Sequence, residues 1–277
     1  MTKVAVDKPA EIGPALDSKA KAAGTTRSSG SERWPTVIVV AGIIAVMQVA
    51  SMFAPPYIMP SPLTILHAIY ELLANDYKDV AVTLIRLFVA LVLSLVIGTT
   101  LGVVMAMIPK IRPYLRSLVI IDTGIPAVSW ILVAVFWFRN PEHRIMFIML
   151  VIIVPFYALN VLDGIRAMPK DWLEMCQSFR PSRWQVFRYL IFPHIVPYVL
   201  MTTKSVFGYA TRMIIFAELI GAAIGAGAKM GLAQATFRMD VVLAWTVLLV
   251  SVNLLAQAGV GLVEGRVLRW RPDVEVR

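Results

Sequence analysis

Residues 171–193 read DWLEMCQSFRPSRWQVFRYLIFP, a polar interruption between two long apolar runs. Its pattern is that of two short helices. Asp171 and Glu174 have the spacing of a capping box, with Asp171 at the N-cap and Glu174 at the third helical position. Trp172, Met175, Cys176 and Phe179 follow at i, i+3, i+4 and i+7 and make one apolar face over about two turns. Pro181 stops this helix. Ser182 and Gln185 form a second capping box. It opens a helix with Trp184, Phe187 and Ile191 on the apolar side and Arg183 and Arg188 beside them. Pro193 and Pro197 lead into the next apolar run. A two-turn helix is not stable alone in water. Its apolar face is therefore expected to be covered by lipid, by neighbouring helices or by another protein.

The surrounding chain is apolar. Of 277 residues, 58% are hydrophobic and only 16% charged, and the mean hydropathy is +0.75. A soluble domain carries about 25% charge, so the composition points to a polytopic membrane protein. Six apolar segments fall at about 36–53, 81–107, 117–138, 145–163, 195–220 and 241–263. Each is near the roughly 17–25 residues that cross about 30 Å of hydrocarbon. Residues 1–35 are rich in Lys, Ser, Gly and Ala without an apolar period and read as a disordered tail. The first apolar run begins too late for a secretory signal and reads as an uncleaved span. The lone Cys176 excludes an internal disulfide, and His67, His143 and His194 lack metal-ligand spacing. No G-x-x-x-x-G-K-[ST] stretch is present, so the chain has no phosphate-binding loop of that kind.

Lys and Arg set the orientation. With an inward N-terminus, the inner segments hold six basic residues before residue 36, then Lys110, Arg112 and Arg116, then Arg166, Lys170, Arg180, Arg183 and Arg188, then Arg266, Arg269, Arg271 and Arg277. The outer loops hold only Lys78, Arg139, Arg144, Lys229 and Arg238. This asymmetry places both termini in the cytoplasm. It accounts for the net charge of +9 without nucleic acid.

In the first outer loop, Ser61 caps a helix that starts at Pro62 and runs to about residue 75, with Leu63, Leu66, Ile69, Leu72 and Leu73 at helical spacing. Polar groups inside the spans are candidates for a pathway. Lys204, Thr211 and Glu218 are seven apart on one face, and Arg212 lies on the adjacent stripe. The alternatives are that Lys204 snorkels or that Arg212 and Glu218 form a structural pair. Asp122 falls inside the third span, and Arg86 is expected to snorkel outward from the second. Gly98-x-x-x-Gly102 and Gly221-x-x-x-Gly225 permit close helix packing. The Gly221–Gly231 run also suits an outer gate or re-entrant bend.

The chain resembles the permease subunits of binding-protein-dependent ABC importers, specifically the nitrate/sulfonate/taurine class. That family's inner loop carries Glu-Ala-Ala, three residues, Gly, nine residues and Ile-x-Leu-Pro. Here Glu174 matches the Glu, Met175 and Cys176 stand at the alanines, and Leu190-x-Phe192-Pro193 matches the end. Ser182-Arg-Trp-Gln185, Pro60-Ser-Pro62, Gly98-x-x-x-Gly102 and Ala217-Glu218 are also similar, over about residues 55–270. Arg180 stands where the family has glycine, so Pro181 is expected to make the corner instead.

The resemblance implies an all-α membrane protein with six transmembrane helices, type I ABC importer permease-like, and a cytoplasmic coupling helix between the fourth and fifth spans. It implies a tail at 1–35, a first span and outer helix at 36–80, a permease core at 81–265 with its coupling loop at 168–194, and a C-terminal tail at 266–277. Trp172, Glu174, Met175, Cys176, Phe179, Arg180 and Arg183 would meet a cytoplasmic ABC ATPase. Lys204, Thr211, Arg212, Glu218 and Asp122 would line the route of a small anion or organic solute. The chain would not be an enzyme and would hold no cofactor; ATP and magnesium would belong to the ATPase. An extracytoplasmic substrate-binding protein, a second permease copy and the bacterial inner membrane complete the implied setting. An ATPase-independent secondary transporter is the main alternative, but it usually shows inverted repeats with broken helices. An intramembrane enzyme or a recruiting scaffold are further ones.

Overall fold

The computed structural model describes residues 33–268. The expected tail up to residue 32 and residues 269–277 lie outside them. Among the described residues every regular element is helical. Two compact units meet in sequence at Phe53 and Ala54. Among the described residues the first contains one helix, α1 (Arg33–Phe53), which is apolar from Val37 to Phe53.

The second unit holds α2 (Pro62–Asn75), α3 (Tyr77–Met107), α4 (Arg112–Gly124), α5 (Ala127–Trp137), α6 (Pro141–Arg166), α7 (Lys170–Ser178), α8 (Arg183–Val186), α9 (Phe192–Gly221), α10 (Ala226–Ala235) and α11 (Met239–Val267). Four of these chain segments are long and apolar enough to cross a membrane: α3, α6, α11 and the run that ends in α9.

The segment expected as one span at about 117–138 is instead two helices, α4 and α5, bent by 96°. The cause is local. Pro126 pushes the preceding Ile125 out of helical geometry, to φ −82° and ψ 127°.

Helix α6 forms the centre of the unit and packs on α3, α4, α5 and α9. Ile148, Met149, Ile153 and Tyr157 are fully buried along it. Its closest neighbour is α3, which crosses at Gly98 and Gly102. A Cβ on Gly98 would lie 2.5 Å from the Tyr157 Cβ, and one on Gly102 would lie 2.7 Å from the Ala158 carbonyl oxygen. The glycine pair therefore lets two backbones approach, as the sequence spacing predicts.

Helix α2 has the expected limits, and its Ser61 side chain accepts the Thr64 N–H at 3.2 Å. Its buried face differs from the expected one. Ile65, Ala68 and Leu72 are buried, whereas Leu63, Leu66 and Leu73 are exposed. Two apolar stripes overlap on this helix. The stripe that contains the small Ala68 permits the closer approach, and α2 packs on α11.

The loop also departs from two separate helices. Arg183–Val186, a π turn at Phe187–Ile191 and α9 form one continuous helical run. The Phe192 N–H bonds to the Phe187 carbonyl, so the ladder widens by one residue just before Pro193, which has no N–H to offer. Pro193 and Pro197 thus sit inside the run and do not separate it from the span.

Replacing Gly102 by valine is expected to destabilise the protein by about 1–3 kcal/mol through overpacking. Gly259→Val on α11, where no atom lies within 4 Å of the added Cβ, is expected to be neutral. Unfolding midpoints in detergent measure both, and equal midpoints would contradict the close crossing of α3 and α6.

Candidate functional site

At the end of α9 remote from the 171–193 loop, the Glu218 carboxylate has no solvent exposure at all. An ionised carboxylate in such a place needs a counter-charge and hydrogen bonds. Arg86 Nη1 donates to Glu218 Oε1 at 2.8 Å. The Thr83 hydroxyl lies 3.0 and 2.9 Å from the two carboxylate oxygens and shares its one hydrogen between them. The Gly227 N–H donates to Oε2 at 3.0 Å.

Arg86 reaches further. Its Nη1 also donates to the Ile224 carbonyl at 2.8 Å. Its Nε donates to Glu142 Oε2 at 2.8 Å, and its Nη2 bonds the other Glu142 oxygen. This is the planar two-pronged geometry that arginine favours. Arg86 is therefore buried and paired. It does not snorkel outward, because two carboxylates from α6 and α9 converge on it.

The same cluster holds the start of α10. Gly225 N–H donates to Asp79 Oδ1 at 2.8 Å and Ala226 N–H to the Thr83 hydroxyl at 2.9 Å, with Gly227 next to them on Glu218. Three successive N–H groups at a helix start, which have no partner in their own helix, are satisfied by α3 and α9. Only glycine suits position 225. Its φ is +122°, and a Cβ there would lie 2.6 Å from the Glu218 carboxylate. Lys229 donates to Asp76 Oδ1 at 2.6 Å and lies 3.5 Å from Asp79 Oδ2. The bond to Asp76 holds its ammonium above the ordinary lysine range. The expected bend at 221–231 is thus a built turn with α10 behind it.

Glu218 is not paired with Arg212, and it does not share a cavity with Lys204. Thr211 and Arg212 line a cleft between α9 and α11, together with Gly208, Thr246, Leu249 and Asn253, with a volume of about 450 Å³. Arg212 is exposed, and its Nε donates to the Gly208 carbonyl at 3.2 Å. Lys204 lies two turns away, 3.9 Å from Glu264 of α11. Asp122 lines a separate cavity of about 580 Å³ with Trp130, Trp137 and Phe147. The five candidates therefore fall into four places. The signal missed in sequence was Asp79, Thr83 and Arg86 at i, i+4 and i+7, a polar stripe on an otherwise apolar helix.

In the loop, α7 starts at Lys170, so Asp171 stands in its first turn and not at its N-cap. Trp172, Met175 and Phe179 are 48%, 62% and 82% exposed, and Cys176 is half-buried. Glu174 and Arg180 are exposed, and Arg183 opens α8. Trp172 meets His194 edge-on at 6.0 Å, and the His194 ring bonds the Gly164 carbonyl at 3.0 Å, which ties α7 to the ends of α6 and α9. The second capping box forms as expected. Ser182 N–H donates to Gln185 Oε1 at 2.7 Å, and Gln185 N–H donates to Ser182 Oγ at 3.3 Å.

The corner itself is made differently from expectation. Arg180 takes φ +47°, the left-handed conformation in which glycine is easiest. Pro181 follows the turn and does not replace it. The strain of a non-glycine residue in that region is about 1 kcal/mol.

The family described as "Binding-protein-dependent transport system inner membrane component" matches residues 98–269. The chain is 26% identical over 260 residues to the taurine transport system permease protein TauC of Escherichia coli, covering 88% of this chain and 94% of that one. It is 29% identical over 241 residues to the putative aliphatic sulfonates transport permease protein SsuC of the same organism, covering 85% and 91%. The fold matches a chain of the MetNI methionine ABC transporter in an inward-facing conformation, with a TM-score of 0.62 at 19% identity, covering 71% of this chain and 96% of that one.

The buried pair yields a double-mutant test. Arg86→Met leaves Glu218 without its cation and is expected to cost about 3–5 kcal/mol. Adding Glu218→Gln is expected to recover about 1–3 kcal/mol of that loss as coupling. Detergent unfolding curves of the two single variants and the double variant check this, and strictly additive losses would remove the pair from the account.

Proposed function

The chain belongs to the binding-protein-dependent transport system inner membrane component family, and on that premise we propose that it carries a small sulfonate-like organic anion through the membrane under the drive of a cytoplasmic ATPase. It is a multi-pass membrane permease subunit of an ABC importer, with the type I importer permease fold, and not an enzyme. The finer reading concerns solute, partners and coupling. The relatives named for taurine and aliphatic sulfonates support the solute class. The exposed Arg212 in its cleft supports an anion, because a guanidinium lowers the cost of taking negative charge out of water.

The observation that carries the coupling proposal is the uncovered apolar face of α7. Trp172, Met175 and Phe179 project from a short helix that cannot persist on its own face alone. A groove on a cytoplasmic ATPase would bury it, with Phe179 as the anchor. Glu174 and Arg180 would provide the polar rim, and half-buried Cys176 would stay on the permease side. The run from Arg183 through α9 has no break. Movement of α7, passed across the Arg180 corner and the Trp172–His194 contact, would displace the helix that carries Arg212. ATP belongs to the ATPase. An extracytoplasmic binding protein delivers the solute, a second permease copy completes the path, and 81–265 with the loop at 168–194 forms the core. The distribution of Lys and Arg supports cytoplasmic termini in a bacterial inner membrane.

Phe179→Asp is expected to abolish ATPase association and transport while the permease still inserts. Normal co-purification of that variant with the ATPase would end the docking proposal. At the neighbouring corner, Arg180→Gly is expected to keep association and transport. Arg180→Val, whose branched side chain resists positive φ, is expected to lose both. Equal transport by the two would show that the left-handed corner has no part in coupling.

A further inference from the structure

Helix α11 has a second polar feature that the loop and the Glu218 cluster do not use. Thr246, Asn253, Gln257 and Glu264 recur at spacings of seven, four and seven and so share one face. Helices α9 and α11 pack together, and Gly208, Thr211 and Arg212 of α9 line the same cleft as Thr246 and Asn253. Further along the same two helices Lys204 lies 3.9 Å from Glu264.

Asn253 stands at the middle of the 29-residue α11, half-buried. Its amide rests on bare backbone, since a Cβ on Gly208 would lie 3.5 Å from both amide heavy atoms. The bond from Gln257 Nε2 at 3.3 Å uses Asn253 Oδ1 and leaves Nδ2 to donate. The hydroxyls of Thr211 and Thr246 donate their hydrogens to the carbonyls of Phe207 and Val242. Arg212 commits only its Nε, to Gly208. The free donors at the cleft are thus the outer guanidinium nitrogens of Arg212 and the Asn253 amide, beside apolar side chains such as Leu249 and Val250. A donor set of that kind fits an oxyanion head on a short apolar body.

We infer that Arg212 and Asn253, which line one cleft, together form a recognition point for the oxyanion head of the transported solute. Asn253 acts here as a specificity-determining residue contributed by α11. This rests on the proposed anion-import reading and adds a second wall to it. A phospholipid headgroup presents the same oxyanion chemistry, so the test separates the two sources.

The experiment reconstitutes the complete complex, with its ATPase and binding protein, in phosphatidylcholine vesicles. It follows ATP-driven uptake of labelled taurine and ethanesulfonate by wild type, Asn253→Leu, Arg212→Gln and Arg212→Lys. Asn253→Leu and Arg212→Gln are expected to lower kcat/KM for uptake by roughly tenfold or more, the weight of one hydrogen bond to a charged group. Arg212→Lys is expected to fall between them and wild type, since charge remains but the fork is lost. Assembly of the complex is expected to stay at the wild-type level. Wild-type uptake by both Asn253→Leu and Arg212→Gln would overturn the recognition point while leaving the importer reading in place. If the wild-type complex moves neither anion, the sulfonate reading falls and this inference falls with it. A wild-type rate that drops on adding phosphatidylglycerol, with Arg212→Gln insensitive to it, would assign the cleft to lipid and overturn the solute assignment.

Discussion

The unexposed carboxylate of Glu218 is the group around which one end of this bundle is organised. In a low-dielectric interior its charge can persist only if a cation and several donors are delivered to it. Arg86 comes from α3, and the Gly227 N–H comes from the turn beyond α9. Glu142 of α6 then holds the far side of the same guanidinium. Three long helices are thereby pinned at one point. The turn at Gly225 is pinned as well, because its backbone lies against the carboxylate with no room for a side chain.

The features legible in the sequence were those with short-range rules. Ser61 before Pro62, the Ser182–Gln185 reciprocal cap and the Gly98–Gly102 crossing each depend on residues three or four apart. The Arg86–Glu218 pair joins residues 132 apart, and the local stripe of Asp79, Thr83 and Arg86 does not say which residue completes it. Read alone, Arg86 near the end of an apolar run looks like a snorkelling residue. The face of α2 was ambiguous for another reason: Leu63 and Leu66 satisfy helical spacing as well as Ile65 and Ala68 do, and the choice was made by α11. The break at Ile125–Pro126 was readable from proline alone, but the strong hydropathy of the segment masked it. Of the candidate site, the exposed face of α7 was readable. The separation of Arg212 from Glu218 was not, since adjacent stripes of one helix can face different neighbours.

The second half of the loop and one wall of the cleft belong to one helical run. A capped turn at Ser182, a widened turn before Pro193 and the long α9 run without interruption. A five-residue π turn in such a run accommodates a missing N–H without breaking the rod. At the near end the rod meets α7 across the Arg180 corner. At the far end it is anchored by Glu218. The stretch that holds Gly208 and Arg212 lies between the Arg180 corner and the Glu218 anchor.

The spacing of the Arg86 network along the chain has a meaning for synthesis. Arg86 leaves the ribosome 56 residues ahead of Glu142 and 132 ahead of Glu218. Helix α3 must enter the bilayer while its guanidinium lacks both partners. The charge lies in the first third of a 31-residue apolar helix, and a charge toward a helix end costs less to insert than one at the midplane. Glu142 arrives next and neutralises the cation from the exposed side. Glu218, the group least able to stand alone in lipid, arrives last, when its cation and the Thr83 hydroxyl are already in place. The gene order of the three residues is therefore also an order of electrostatic safety during cotranslational insertion.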